Sequence, residues 1–277
     1  MSLISSILVG LVQGVAEFLP ISSSGHLAIA EKLLGASGAT DIPGFFDVLL
    51  HLGTLAAVFV AYWPDIRAMI FEFFQGVSDL IHHKTPVPVP AARRMILLIV
   101  AATLPLGLIL PVKDTIEAMS GNLYFVSVAL LLTGCLLFIS DRVKPGKKTA
   151  RNATLKDALL VGLAQAAATC PGISRSGTTI TAGCFVGFER KFAVRFSFLM
   201  SIPAILGANI LSLADAVKDG IIWGDVPVYL VGVAVAAVTG YACIRLLRMI
   251  ADKGRFGWFA YYCWGVGLLS LILTAVG

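Results

Sequence analysis

The sequence predicts an all-α polytopic membrane protein, with six full transmembrane helices plus two re-entrant helix pairs in two inverted-topology repeats. Three observations carry that expectation. Of 277 residues, 58% are hydrophobic and 13% charged, and mean hydropathy is +0.90, a balance typical of chains that reside in lipid. The apolar residues gather into stretches about as long as a bilayer requires, roughly 20 helical residues each. A motif near the beginning also returns 152 positions later, the mark of an internal repeat.

Residues 2–19 and 24–34 are both apolar, but the second stretch is too short to span, and Pro20 separates them. They read as a re-entrant helix-turn-helix. Full spans follow at 46–63, 91–110 and 122–140. Between the first two, Pro64 to Pro90 reads as a polar connection carrying Asp65, Arg67, His82, His83 and Lys84, with a stiff Pro-Val-Pro-Val-Pro end. Asp141 to Lys156 is the most basic segment, with Arg142, Lys144, Lys147, Lys148, Arg151 and Lys156. A second short pair, 154–170 and 176–187, precedes spans at 192–215, 228–248 and 258–276. The chain is thus one integral membrane domain, with repeat one at 1–140 and repeat two at 154–277, joined by a basic inner loop at 141–153. The opening residues lack a basic n-region and a cleavage site, so no removable signal peptide is expected. Cys135, Cys170, Cys184, Cys243 and Cys263 are dispersed in apolar segments and read as packing residues, implying neither disulfide nor metal site.

At the shift of 152, Val9-Gly10-Leu11-Val12-Gln13 aligns with Val161-Gly162-Leu163-Ala164-Gln165, and Ile21-Ser22-Ser23-Ser24-Gly25 with Ile173-Ser174-Arg175-Ser176-Gly177. Three full spans separate the copies, so the second must enter from the opposite face, which makes the repeat inverted. Basic residues agree with that count. Arg67, Lys84, Arg93, Arg94, the six of the central segment, Arg190, Lys191, Arg195, Arg245, Arg248, Lys253 and Arg255 fall on one side, against Lys32, Lys113 and Lys218 on the other. The bias puts both termini outside the cytoplasm of a multi-pass plasma or inner-membrane protein. The net charge of +5 therefore reflects topology, with no nucleic acid partner implied.

Arg175 belongs to neither side, because it sits at the tip of the second short pair. If the two tips meet near the midplane, Glu17, Ser22, Ser23, Ser24 and His26 face Ser174, Arg175, Ser176, Thr178 and Thr179. A carboxylate, an imidazole and a guanidinium are costly in hydrocarbon and mark a functional site. Each tip precedes a short helix whose N-terminus favours an anion, and Arg175 offers a planar fork suited to phosphate. Glu17 and His26 are candidates for metal binding or proton transfer, and Ser23 for nucleophile or phosphate donor. Asp47, His51 and Thr54 share one helical face, as a polar pocket wall or as an interhelical hydrogen-bond seam. The pair Ser197 and Ser201 reads as support for close helix packing, and His82 and His83 as solvated. The sequence contains no GxxxxGK[ST] loop, which argues against an ATP-driven process.

Gln-Gly-x-x-Glu-Phe-Leu-Pro-Ile-Ser-Ser-Ser-Gly-His at 13–26, Phe-Asp-Val-Leu-Leu-His-Leu-Gly-Thr at 46–54, Pro-Gly-Ile-Ser-Arg-Ser-Gly at 171–177 and Phe-Ser-Phe-Leu-Met-Ser-Ile-Pro at 196–203 resemble the undecaprenyl-diphosphate phosphatases of the bacitracin-resistance type. The resemblance covers essentially the whole chain. It implies a hydrolase that converts a C55 polyprenyl diphosphate to the monophosphate and inorganic phosphate, recycling the lipid carrier of cell-wall polymers. It also implies two inverted repeats with re-entrant pairs. By position it assigns the essential acid to Glu17, the motif serine and histidine to Ser23 and His26, and the phosphate-binding serine and arginine to Ser174 and Arg175. Where some members carry a second glutamate this chain has Gln13, whose amide is no base and a weaker metal ligand, leaving Glu17 to act alone. The catalytic candidates are thus Glu17, Ser23, His26 and Arg175. The substrate-binding candidates are Gln13, Ser22, Ser24, Gly25, His51, Ser174, Ser176, Gly177 and Thr178. A divalent cation, Mg2+ or Ca2+, is expected with Glu17 as its ligand. The expected partners are the lipid substrate and membrane lipid, and self-association is left open.

The competing reading is a transporter or flippase of a lipid phosphate, since inverted repeats around a midplane anion site also build secondary carriers. The copies differ in a way that favours chemistry: Glu17 and His26 in the first correspond to Thr169 and Thr178 in the second.

Overall fold

The computed structural model describes residues 1–36, 42–84, 86–253 and 255–276, and among these residues its regular elements are helices, apart from one isolated β-bridge between Lys148 and Phe188. Six stretches are long and apolar enough to cross a bilayer: Gly44–Ala61, Ala91–Gly121, Leu123–Ser140, Arg190–Lys218, Trp223–Ala251 and Gly257–Val276. They coincide with the six spans expected from hydropathy. In chain order the helices are α1 (Leu3–Phe18), α2 (Ser23–Ala36), α3 (Gly44–Ala61), α4 (Trp63–Ile81), α5 (Ala91–Thr103), α6 (Lys113–Ala118), α7 (Leu123–Ser140), α8 (Leu155–Ala167), α9 (Arg175–Phe185), α10 (Arg190–Asp219), α11 (Val226–Lys253) and α12 (Gly257–Val276).

The interval 64–90 differs from the expectation of a polar connection. Most of it is α4, an amphipathic helix opening with Pro64 in its first turn, where a proline needs no amide partner. Arg93 on α5 donates to Asp79 at 2.8 Å and to Glu72 at 3.1 Å. Phe71, Phe74, Leu80 and Ile81 stay exposed, a flank suited to the headgroup–acyl boundary. The hydropathy average conceals this helix because its polar and apolar residues alternate around the axis.

The short helices are seated by glycine. Gly10 of α1 touches α11 so closely that a Cβ there would lie 2.2 Å from the Gly232 carbonyl oxygen; on α8, a Cβ at Gly162 would lie 2.3 Å from that of Ala102 on α5. Small residues permit this backbone approach, which apolar packing in lipid depends on. Ser6 strengthens the first contact by donating to the Val228 carbonyl at 2.7 Å. α7 and α12 form another close pair: Ser127 donates to Ser270 at 2.9 Å, and the Trp264 indole donates to the Leu131 carbonyl at 3.1 Å. The largest buried cluster collects Phe18, Tyr62, Met95, Leu137, Phe188, Phe196 and Phe198 from helices of both halves.

Charged groups tie loops and helix ends together: Arg94 donates to the carbonyls of Ala150 and Ala153, Asp141 accepts from the amides of Phe256 and Gly257, Lys148 pairs with Asp157, and Arg195 pairs with Asp65. Away from these groups, Lys113 and Lys218 share the carboxylate of Asp215.

Candidate active site

α1 must stop before Pro20, so Glu17 stands in its last turn. α2 and α9 begin with the same device. Ser22 Oγ accepts from the Gly25 amide at 3.2 Å, and Ser174 Oγ accepts from the Gly177 amide at 3.1 Å. Each cap serine also lies 3.3 Å from the hydroxyl two residues on, Ser24 or Ser176. Side-chain caps of this kind satisfy one of the orphan amides of a helix start. The amides of Gly25 and Gly177 are therefore engaged by their caps and are not open donors for a phosphate. The caps differ in backbone: Ser22 has φ +73° while Ser174 has φ −71°. A left-handed serine is a strained one, of a kind that concentrates at functional sites.

The tips touch. Ser176 Oγ lies 3.4 Å from the Leu19 carbonyl, and the Gly172 amide donates to Ser24 Oγ at 3.3 Å. Thr133, midway along α7, donates to the Gly172 carbonyl at 3.2 Å and accepts from the Ser174 amide at 3.0 Å. The contact zone consequently lies at the level of the middle of a full span.

At its centre is Glu17, only 6% exposed. Its Oε1 accepts from the Arg175 guanidinium; its Oε2 accepts from Ser23 Oγ at 2.8 Å and from the Gln13 amide at 3.2 Å. His51 Nε2 stands 4.0 Å from the same Oε2, while His51 Nδ1 lies 3.0 Å from the Asp47 carbonyl and 3.6 Å from the Asp47 carboxylate. Thr54 bonds only within its own helix, to the His51 carbonyl at 2.9 Å. The Asp47–His51 face therefore meets α1 through the approach of His51 to Glu17. Glu17, Ser23, Arg175, Gln13 and His51 form one connected group.

His26 lies apart from it. Its Nδ1 is 2.8 Å from the Ser22 carbonyl, and its Nε2 is 2.9 Å from Tyr262 Oη on α12, with the two rings stacked 5.5 Å apart. A carbonyl can only accept, so Nδ1 carries the proton and Nε2 receives the phenol hydrogen. Tyr262 was not among the expected site residues; an aromatic within an apolar span is ordinary, and nothing local to it signals a histidine partner 236 positions away. Thr178 is buried and its hydroxyl has no hydrogen-bond partner among the described residues. Thr179 bonds to Ser197 at 2.6 Å, joining α9 to α10, which is the packing role read for Ser197.

Could the group hold a cation? No cluster of three or more His, Cys, Asp or Glu side chains suited to a metal occurs among the described residues. Glu17 offers one carboxylate, and the Gln13 Oε1 beside it is buried without a hydrogen-bond partner among the described residues. One carboxylate and one amide oxygen fit Mg2+ shared with substrate phosphates, not a dedicated all-protein cage.

Residues 6–269 match the model of the family described as bacitracin resistance protein BacA. The chain is similar to proteins named undecaprenyl-diphosphatase from three organisms. Identity is 38% to that of Methanosphaera stadtmanae, covering 100% of this chain and 99% of the relative. It is 39% to that of Methanobrevibacter smithii, over 97% and 96%, and 40% to that of Syntrophotalea carbinolica, over 99% and 100%. With a match of that extent across all six spans and both tips, the chain belongs to the bacitracin resistance protein BacA family.

Proposed function

We propose that this protein hydrolyses undecaprenyl diphosphate to the monophosphate and inorganic phosphate. The observation that carries the reading is one buried carboxylate, Glu17, shared by a serine hydroxyl and a guanidinium from the other half of the chain. A nucleophile bonded to its base, beside a donor fork for phosphate, is the arrangement phosphoryl transfer needs. The relatives' printed name points to the same substrate.

In this reading the prenyl tail stays among the spans and the headgroup enters between the tips. Arg175 exchanges its Glu17 partner for the oxygens of the terminal phosphoryl group. Ser23 Oγ attacks that phosphorus, passing its proton to Glu17, and the bond to the bridging oxygen breaks to release the lipid monophosphate. A water then cleaves the serine–phosphate bond, one of its protons staying on the inorganic phosphate and the other going to Ser23, while Glu17 releases the proton it took to solvent. His26, one helical turn beyond Ser23, meets the departing monophosphate after parting from Tyr262. His51 holds Glu17 in register from α3. Glu17 and the Gln13 amide oxygen would hold a divalent cation, which would neutralise diphosphate charge.

The short pairs are re-entrant and the halves inverted in this reading, with both termini outside the cytoplasm. Support comes from the twin serine caps, the twin glycine contacts and the meeting of both tips at mid-span. Purified protein in detergent, supplied with undecaprenyl diphosphate and Mg2+, should release inorganic phosphate without any membrane gradient. Absence of release from folded protein would refute the hydrolase reading and favour a carrier.

A further inference from the structure

Where α3 turns into α4, a cavity of about 370 Å³ opens, lined by Tyr62, Asp65, Lys191, Arg195, Arg248 and Met249 among others. Among the described residues, two guanidinium groups line it, with the carboxylate of Asp65. Arg195 pairs with Asp65, whereas Arg248 sits 5.3 Å from the Tyr62 ring centre and 3.5 Å from the Ala61 carbonyl. Tyr62 is only 2% exposed, and its hydroxyl is buried without a hydrogen-bond partner among the described residues. Buried hydroxyls nearly always have one.

The cavity is separate from the Glu17 site. Phe18, next to Glu17, meets Phe198 edge-on at 5.5 Å, and Phe198 meets Tyr62 at 5.9 Å. Three rings thus form a wall with the catalytic group on one side and the cavity on the other. The helix that contributes Asp65 to the lining, α4, also carries the exposed apolar flank of Phe71, Phe74, Leu80 and Ile81.

We propose that this cavity is a second anion site, binding a phosphate group through Arg195, Arg248 and the Tyr62 hydroxyl. Guanidinium forks match phosphate oxygens in pairs, and the phenol supplies the donor that now lacks an acceptor. The phosphate could come from the headgroup of an anionic phospholipid or from inorganic phosphate in solution, because both present the same oxygens.

Native mass spectrometry of the full chain in detergent, titrated with phosphatidylglycerol and separately with inorganic phosphate, tests this. The double variant Arg195→Gln/Arg248→Gln should bind one group fewer than wild type, or bind it at least ten-fold more weakly, while phosphatase turnover is kept. Arg195→Lys/Arg248→Lys should recover part of the binding. Loss seen with phosphatidylglycerol alone identifies the lipid headgroup as the source, and loss seen with both identifies phosphate itself. Tyr62→Phe deletes one hydroxyl and should weaken binding several-fold, which decides the matter should the double variant not fold. Equal binding of both probes by wild type and Tyr62→Phe, or by wild type and the folded double variant, would overturn the proposal.

Discussion

The pairing of Glu17 with Arg175 invites a double-mutant cycle, because a catalytic carboxylate and a mere clamp between the tips predict opposite results. Glu17→Gln removes a buried charge and strands Arg175. Breaking a buried pair from one side costs about 3–5 kcal/mol; Arg175 keeps about a quarter of its side-chain surface exposed, so the lower end, about 3 kcal/mol, is expected. The double variant Glu17→Gln/Arg175→Gln leaves no charge stranded and should regain most of that stability, to within about 1 kcal/mol of wild type. Activity should not follow. Loss of a positioned base alone slows a reaction by about 10²–10⁴-fold, and the double variant also lacks the phosphate-binding fork. Thermal unfolding and phosphate release, measured on the same four preparations in detergent, read both quantities. If the double variant recovered turnover to within about ten-fold of wild type, the pair would be a clamp and the assignment of Glu17 as base would fail.

Three further outcomes are expected. Ser23→Ala should lower turnover by about 10³-fold or more, as for other covalent nucleophiles, and should abolish any phosphoserine trapped on rapid acid quench; turnover near wild type would rule out the serine and leave water as the attacker. Gly10→Ala and Gly162→Ala should each lower stability by about 1–3 kcal/mol in thermal unfolding, because each methyl would collide with a backbone carbonyl at 2.2 or 2.3 Å; unchanged midpoints would contradict the close packing. Arg93 holds the Asp79 carboxyl below its ordinary range, chiefly by hydrogen bonding. That stabilisation is complete above the unfolded carboxyl value, about pH 4, and is lost as pH falls through the lowered folded value. Hydrogen exchange in α4 should accordingly stay slow down to about pH 4 and quicken only below it, and loosening already between pH 6 and 5 would refute the assignment.

Much of this site is legible without coordinates because its chemistry is anomalous for its surroundings. A glutamate or arginine in an apolar chain stands out whatever the fold, and the repeat aligns Ser22-Ser23-Ser24 with Ser174-Arg175-Ser176 closely enough to imply that the tips meet. The six spans are equally plain, since length and apolarity decide them alone. The missing parts depended on direction rather than composition. Residues 64–90 read as a connection because their hydropathy is mixed, although the spacing of Ile66, Met69, Ile70, Phe73 and Phe74 carries a helical period. His26 shares a motif with Ser23, yet its ring faces α12 and Tyr262; motif adjacency says nothing about which side of a helix a side chain leaves. His51 could be placed on a polar face, but that this face looks toward Glu17 follows only from how α3 is rotated against α1.

The close seating of α1 against α11 bears on how the protein is made. Gly10 needs Gly232 as its neighbour, Ser6 needs the Val228 carbonyl, and Glu17 needs Arg175. During synthesis the first helix is in place long before any of these partners has left the ribosome, and chains of this size assemble in steps. Until α9 arrives, the carboxylate of the first tip has no counter-charge, and until α11 arrives its helix has no fitted groove. The Glu17–Arg175 pair therefore waits for the second half of the chain, so that a chain stalled before α9 holds the carboxylate without its guanidinium.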